Sequence, residues 1–179
     1  MRKDLLGSIL LLAIIAFLVL RPWEEDPEAG PAAATAVVTR VVDGDTVEAR
    51  IGGEVEDVRL IGVDTPETVK PGTPVQCFGP RASHFSKRVL TGKQVRLVFG
   101  VERRDVYGRL LAYLYLPLPT LSLPRQQKTR KRELFFNATL VRRGLARTLT
   151  IPPNDRFAPR FGRIQLAAAR AGRGLWGAC

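Results

Sequence analysis

The chain has 179 residues, enough for one domain with a sizeable hydrophobic core and a short appendage, and short for two domains. Its formal net charge is +11; residues 1–35 hold three Lys/Arg against five acids, so the rest carries about +13. Such a surplus draws polyanions, nucleic acid first, with anionic lipid and cell-wall polymer as rivals and a merely solvated cationic face as the plain alternative. Two distant cysteines with no CxxC and no histidine partner exclude a zinc site, and the single histidine, His84, supports neither a histidine-based nor a serine-triad mechanism.

In chain order, Leu5 to Leu20 is an uncharged run, LLGSILLLAIIAFLVL, preceded by Arg2 and Lys3 and followed by Arg21 and Trp23. As a helix it reaches about 24 Å, slightly short of a bilayer core unless its flanking charges snorkel. Both a cleaved signal peptide and a signal anchor fit; the small-residue stretch Ala32-Ala33-Ala34 lies far beyond the apolar run, which favours the uncleaved anchor. Positive charge at the N-terminus then places the remainder outside the cytoplasm. The expected organisation is an anchor or signal segment over 1–22, a Pro/Ala/Gly-rich linker over 23–35, and a domain over 36–179.

Within that domain, Ala36–Val42, Thr46–Ile51 and Val55–Ile61 are dense in Val, Ile and Thr and are separated by turn residues, so they read as a strand meander. Gln94–Phe99 and Arg109–Leu116 add two strands, and five short strands suggest a small barrel. Helices are expected over Arg81–Thr91, Leu134–Arg143 and Asp155–Ala171, each followed by glycine, with Pro159 able to delay the start of the third. Between the last strand and the second helix, residues 117–132 hold three prolines and then Arg125, Lys128, Arg130, Lys131 and Arg132. This reads as an exposed loop, available either for a phosphate contact or anionic envelope polymer, or simply solvated. Asn137-Ala138-Thr139 matches a glycosylation acceptor but falls inside the second helix, which argues against modification. An exported chain with an even cysteine count usually pairs them, so a Cys77–Cys179 disulfide is expected.

The chemistry lies in three short segments. Asp43-Gly44-Asp45 sets two carboxylates at a turn between strands, and Arg59 lies on the next strand just before Asp64 and Glu67. A meander brings the two segments together, and a hard cation such as calcium relieves the repulsion of clustered acids by taking several oxygen ligands. Arg109 enters a strand straight after the turn Asp105-Val106-Tyr107-Gly108. Phosphodiester hydrolysis needs an activated water, a cation, and fixed positive groups on the equatorial oxygens; the planar fork of arginine suits the last role.

With DGDTV at 43–47, RLIGVDTPE at 59–67, FGPRAS at 78–83, DVYGR at 105–109 and LVRRGLAR at 140–147, the chain resembles the staphylococcal-nuclease-like, or thermonuclease, family over roughly 36–176. The resemblance implies a five-stranded OB-fold-type Greek-key barrel with three helices (α+β), preceded here by the N-terminal hydrophobic helix. It implies calcium-dependent cleavage of DNA and RNA leaving 3′-phosphate ends. Position by position it implies Asp45, Asp64 and the carbonyl of Thr65 as calcium ligands, and Asp43 as a supporting acid. It also implies Glu67 as the group serving the attacking water, Arg59 and Arg109 as phosphate clamps, and Tyr107 as a nucleotide contact. Val106 stands where the family's staphylococcal member has a lysine, and the 117–132 loop looks like an insertion. The alternative is a non-catalytic OB-fold module that grips nucleic acid or another polyanion at the cell envelope, and no protein partner is indicated.

Overall fold

The computed structural model describes residues 32–68, 72–118 and 132–179. The expected anchor over 1–22, most of the linker and nearly all of the basic loop therefore lie outside the described residues. Among those residues no helix is long and apolar enough to cross a membrane.

Among the described residues eight strands form: β1 Ala33–Asp43, β2 Thr46–Ile51, β3 Glu54–Leu60, β4 Val63–Asp64, β5 Gln94–Arg104, β6 Leu110–Pro117, β7 Glu133–Phe135 and β8 Arg147–Thr148. The main sheet runs β3-β2-β1-β5-β6-β7, and a further pairing of β3 with β6 closes the first five into a barrel. The closing pair is parallel, with Val58 opposite Leu110, Arg59 opposite Leu111 and Leu60 opposite Ala112, whereas every other pairing is antiparallel. The expected OB-type barrel is thus present, and its parallel seam brings the strand carrying Arg59 beside the one that begins just after Arg109.

β1 illustrates how pattern becomes position. Ala36 and Val38 face the core, but a bulge at Thr39 and a second irregularity before Asp43 change the phase, so that Val41 and Asp43 are the next buried positions. An inserted residue bends the strand and re-aims the side chains beyond it. β1 also starts at Ala33, inside the expected linker, because Ala33–Val37 pair with Val98–Gln94.

Three helices pack on the barrel: α1 Gly79–Leu90, α2 Phe136–Arg142 and α3 Ala158–Arg170, followed by a terminal turn of helix, α4 Leu175–Ala178. α1 buries Ala82, Phe85, Ser86 and Leu90 along one face. α2 is buried over Phe136–Val141, and α3 contributes Phe161 and Ala168. Pro159 sits within the first turn of α3, where its missing N–H is tolerated. The core runs from Val38, Val47, Val58 and Leu60 through Leu97 and Leu114 to Phe136, Leu140 and Phe161.

The start of the second helix differs from expectation. Leu134 and Phe135 join β7 opposite Leu116 and Tyr115, and the Phe135 ring stacks on Tyr115 at 4.7 Å. Asn137, fully buried, accepts a hydrogen bond from Leu114 N at 2.9 Å and donates to the Ile61 carbonyl at 2.9 Å. It is a strut between β6 and the segment leading into β4, which leaves it unavailable for glycosylation.

A disulfide joins Cys77 and Cys179 across a sequence separation of 102, with Cα atoms 6.0 Å apart. The chain-entropy model assigns a loop of that length about 4.7 kcal/mol. Cys77→Ser should lower the thermal midpoint by roughly 10 °C, read by circular dichroism. A midpoint indifferent both to the substitution and to reductant would contradict a stabilising role.

Candidate active site

β1 ends at Asp43 and β2 begins at its cross-strand partner Thr46, so Gly44 and Asp45 make the turn. A side chain at Gly44 would press on Thr65, with Cγ2 and Oγ1 both 2.7 Å from its Cβ, so only glycine lets the turn sit against that residue. Ser86 of α1 donates to the Gly44 carbonyl at 2.6 Å, and Leu60 N donates to the Asp45 carbonyl at 2.9 Å. Asp45 Oδ2 accepts from Thr65 N at 2.6 Å and Thr65 Oγ1 at 2.9 Å. Burial pushes the Asp45 carboxyl up, against the pull of the Arg59 charge and the Thr65 bonds, and the charge of Asp64 adds to the rise. Asp43 is raised too, by burial first; Thr68 and Gly44 bonds to its carboxylate oppose this, while Asp45 and Glu67 reinforce it.

Arg59 is aimed from the end of β3 and its side chain is 14% exposed. One terminal nitrogen donates to the carbonyls of Leu60 at 3.1 Å and Val63 at 2.9 Å and lies 3.2 Å from Asp45 Oδ2; the other lies 3.1 Å from Asp64 Oδ1. The guanidinium therefore bridges the two carboxylates. Asp64 leaves β4 half exposed to solvent, and its strand partner is Arg147 in β8.

Glu67 lies in the segment between β4 and α1. Its backbone is fixed on both sides by Gln76, whose side chain accepts from Glu67 N at 2.9 Å and whose own N–H donates to the Glu67 carbonyl at 2.9 Å. Thr68 N donates to Glu67 Oε1 at 2.9 Å.

Arg109 is held by its own turn. Asp105 Oδ1 accepts from Tyr107 N and Arg109 N, both at 3.0 Å, and Oδ2 accepts from Arg109 Nε at 2.7 Å. Burial works against the charged form of Asp105, but the bonds and charge of Arg109 prevail and hold its carboxyl below the usual range. The guanidinium carbon lies 5.3 Å from the centre of the Tyr107 ring, itself 81% exposed. Asp105 is a positioning residue to which the motifs alone assign no role, although its place four residues before Arg109 is the spacing of a turn-capping acid. Asp105→Asn should lower kcat about tenfold while leaving KM nearly unchanged, a smaller loss than removal of Arg109 itself. Unaltered steady-state kinetics would contradict this.

Asp45, Arg59, Asp64, Thr65, Glu67, Tyr107 and Arg109 all line one cleft of about 510 Å³, together with Asp43 and Thr46. His84 is exposed on α1, away from this set. Beside the cleft, Arg59, Tyr107 and Arg109 also border a more apolar cavity of about 300 Å³ walled by Leu111, Leu149 and Ile151.

The family model described as "Staphylococcal nuclease homologue" matches residues 57–178. The chain belongs to the staphylococcal nuclease homologue family. It is 38% identical to the thermonuclease of Staphylococcus intermedius and 36% identical to that of Staphylococcus hyicus, with 98% of this chain and 99% of the relative covered in each case. It is also 34% identical to the SPbeta prophage-derived endonuclease YokF of Bacillus subtilis, over 76% of this chain and 42% of that protein.

In this nuclease homologue the described residues contain no group of three or more His, Cys, Asp or Glu gathered closely enough to enclose a metal by themselves. Asp45, Asp64 and Thr65 nonetheless line the same cleft, and carboxylate and carbonyl oxygens are the donor type that a hard cation takes. Three protein oxygens fit an ion such as calcium, which completes its shell with water and substrate oxygens.

Proposed function

We propose that this family member is a calcium-dependent phosphodiesterase that hydrolyses DNA and RNA by attack of water and leaves 3′-phosphate ends. One observation carries the reading: oxygen donors from two carboxylates, a third acid and two arginines face a single cleft. Calcium, held by Asp45, Asp64 and the Thr65 carbonyl, would supply Lewis-acid charge to the phosphate oxygens.

The chain's own groups do the rest. Glu67, fixed by Gln76 and Thr68, orients the attacking water and accepts its proton as the new P–O bond forms. Arg59 and Arg109 donate to the equatorial oxygens as negative charge grows there. Arg109, held by Asp105, donates a hydrogen bond to the leaving 5′-oxygen. That oxygen takes its proton from solvent water as its bond to phosphorus breaks, while Glu67 later returns its proton to solvent. The apolar cavity beside the arginines gives a nucleobase a wall to lie against while its phosphate stays in the cleft, and Tyr107 shares both spaces. Against the alternative of a non-catalytic polyanion-binding module stands the presence of both acids, Glu67 and both arginines in one cleft. End-group analysis of calcium digests of single-stranded DNA and RNA tests the products: 3′-phosphates are expected, and 5′-phosphates would refute the bond assignment.

The reading extends to location. The uncharged run over 5–20, the positive charge before it and the Cys77–Cys179 disulfide support an extracytoplasmic domain tethered to the membrane. Loss of the protein from washed membranes without proteolysis would count against the tether.

A further inference from the structure

The molecule carries a second cationic surface outside the cleft, and its construction is specific. Phe78, Arg142, Arg143 and Arg173 surround an open depression of about 660 Å³ whose lining contains no acid. Three separate segments meet there. The turn after α2 and the turn after α3 approach backbone to backbone, since a Cβ at Gly144 would collide with the Arg173 carbonyl and one at Gly174 with the Gly144 carbonyl. Leu175 N donates to the Gly144 carbonyl at 2.9 Å, and Arg173 donates to the Arg142 carbonyl at 3.4 Å. The Cys77–Cys179 disulfide then ties the segment just before Phe78 to the chain's C-terminus.

Phe78 itself sits at φ 69, a left-handed conformation that is a genuine outlier for a bulky residue. Strain of that kind persists where the surroundings enforce it, and it clusters at binding sites. Its ring lies under Arg81, with the guanidinium carbon 5.3 Å from its centre, while Arg143 covers Phe85 at 4.8 Å. None of Arg142, Arg143, Arg147 and Arg173 forms an ion pair with an acidic side chain among the described residues, and all four are exposed.

A small pocket lies on the chain segments between the depression and the cleft. Asp64 and Thr65 of the cleft also border a small pocket of about 190 Å³ shared with Arg147, Leu175 and the disulfide. The disulfide and Leu175 are the immediate chain neighbours of Phe78 and Gly174 on the far side. Arg147 stands at this junction, its guanidinium carbon 4.7 Å from the centre of a Trp176 ring.

We propose that this depression is a second nucleic-acid subsite, which holds backbone phosphates of a single strand whose scissile bond lies in the cleft, with Arg147 between the two. The proposal rests on reading the cleft as a nuclease centre. Charge complementarity selects the occupant: the depression is lined by three arginines and no acid, and Arg147 borders a pocket shared with Asp64 and Thr65 of the cleft, so arginines stand ready for the further phosphates of a strand held there. Guanidinium and aromatic faces suit unpaired bases, which a duplex would not present.

The test measures binding directly in the full-length chain with Glu67→Gln, so that cutting does not intervene. A strand of about 16 nucleotides, the upper end of OB-fold site sizes, is compared with a dinucleotide. Adding Arg142→Gln, Arg143→Gln and Arg173→Gln should weaken binding of the long strand about tenfold more than binding of the dinucleotide. It should also reduce the long strand's salt slope by about 2, the value for three lost single-strand contacts. Lysine at the three positions should restore most of the slope, which separates lost charge from lost structure. Equal affinity of parent and variant for the long strand overturns the proposal, as does an equal loss for both lengths. An unaltered chain, with Glu67 in place, that binds in this length-dependent way yet fails to cut in calcium would contradict the nuclease reading alone.

Discussion

Glu67→Gln should lower kcat about 10³-fold, near 4 kcal/mol of barrier, with little change in KM or in folding. The amide keeps the shape of the carboxylate and its hydrogen-bonding reach, so Thr68 N retains an acceptor and the backbone bonds to Gln76 are untouched. What disappears is the capacity to take a proton from the attacking water. Loss of one carboxylate from beside Asp43 also removes a neighbour that pushes that acid's carboxyl up. Rapid-quench measurement of a single turnover gives the comparison. A fall below tenfold would show that Glu67 does not serve the water.

Arg109→Gln should cost about 10²–10³ in kcat, again at nearly constant KM, because its interaction grows with the charge of the transition state. The same substitution at Arg59 should behave differently. Arg59 is anchored by the Leu60 and Val63 carbonyls and sits against Asp45 and Asp64, so its removal strips a partner from a buried carboxylate. That variant should lose thermal stability as well as activity, whereas Arg109→Gln leaves behind only Asp105, a group that its own turn amides still bind. Steady-state kinetics alongside thermal unfolding separates the two arginines. Equal destabilisation by both substitutions would contradict the distinction.

The barrel is legible in the sequence because its strands carry their own signal: Val, Ile and Thr in short runs between turn residues. The chemistry is legible for a related reason, since each group lies within a few residues of the turn or strand end that aims it. Where the sequence alone falls short, the cause lies far along the chain. β5 runs to Arg104, beyond the expected end at Phe99, because Asn154 binds Glu102 at both its N–H and its carbonyl from 52 residues away. Phe135 joins a strand because Tyr115 offers it a stacking partner. Asn137 looks like a glycosylation acceptor until the backbone groups of Ile61 and Leu114 are seen on either side of its amide. The arginine-lined depression has no local signature at all, because it is assembled from three segments closed by a disulfide and by paired glycine turns.

The most direct test of the central claim is the rate of plasmid cutting by the unaltered chain as calcium is added, chelated and restored. Cutting that appears with calcium, stops with chelator and returns with excess calcium is the predicted result. Undiminished cutting in chelator, or plasmid binding with no cutting at any calcium level, would contradict it.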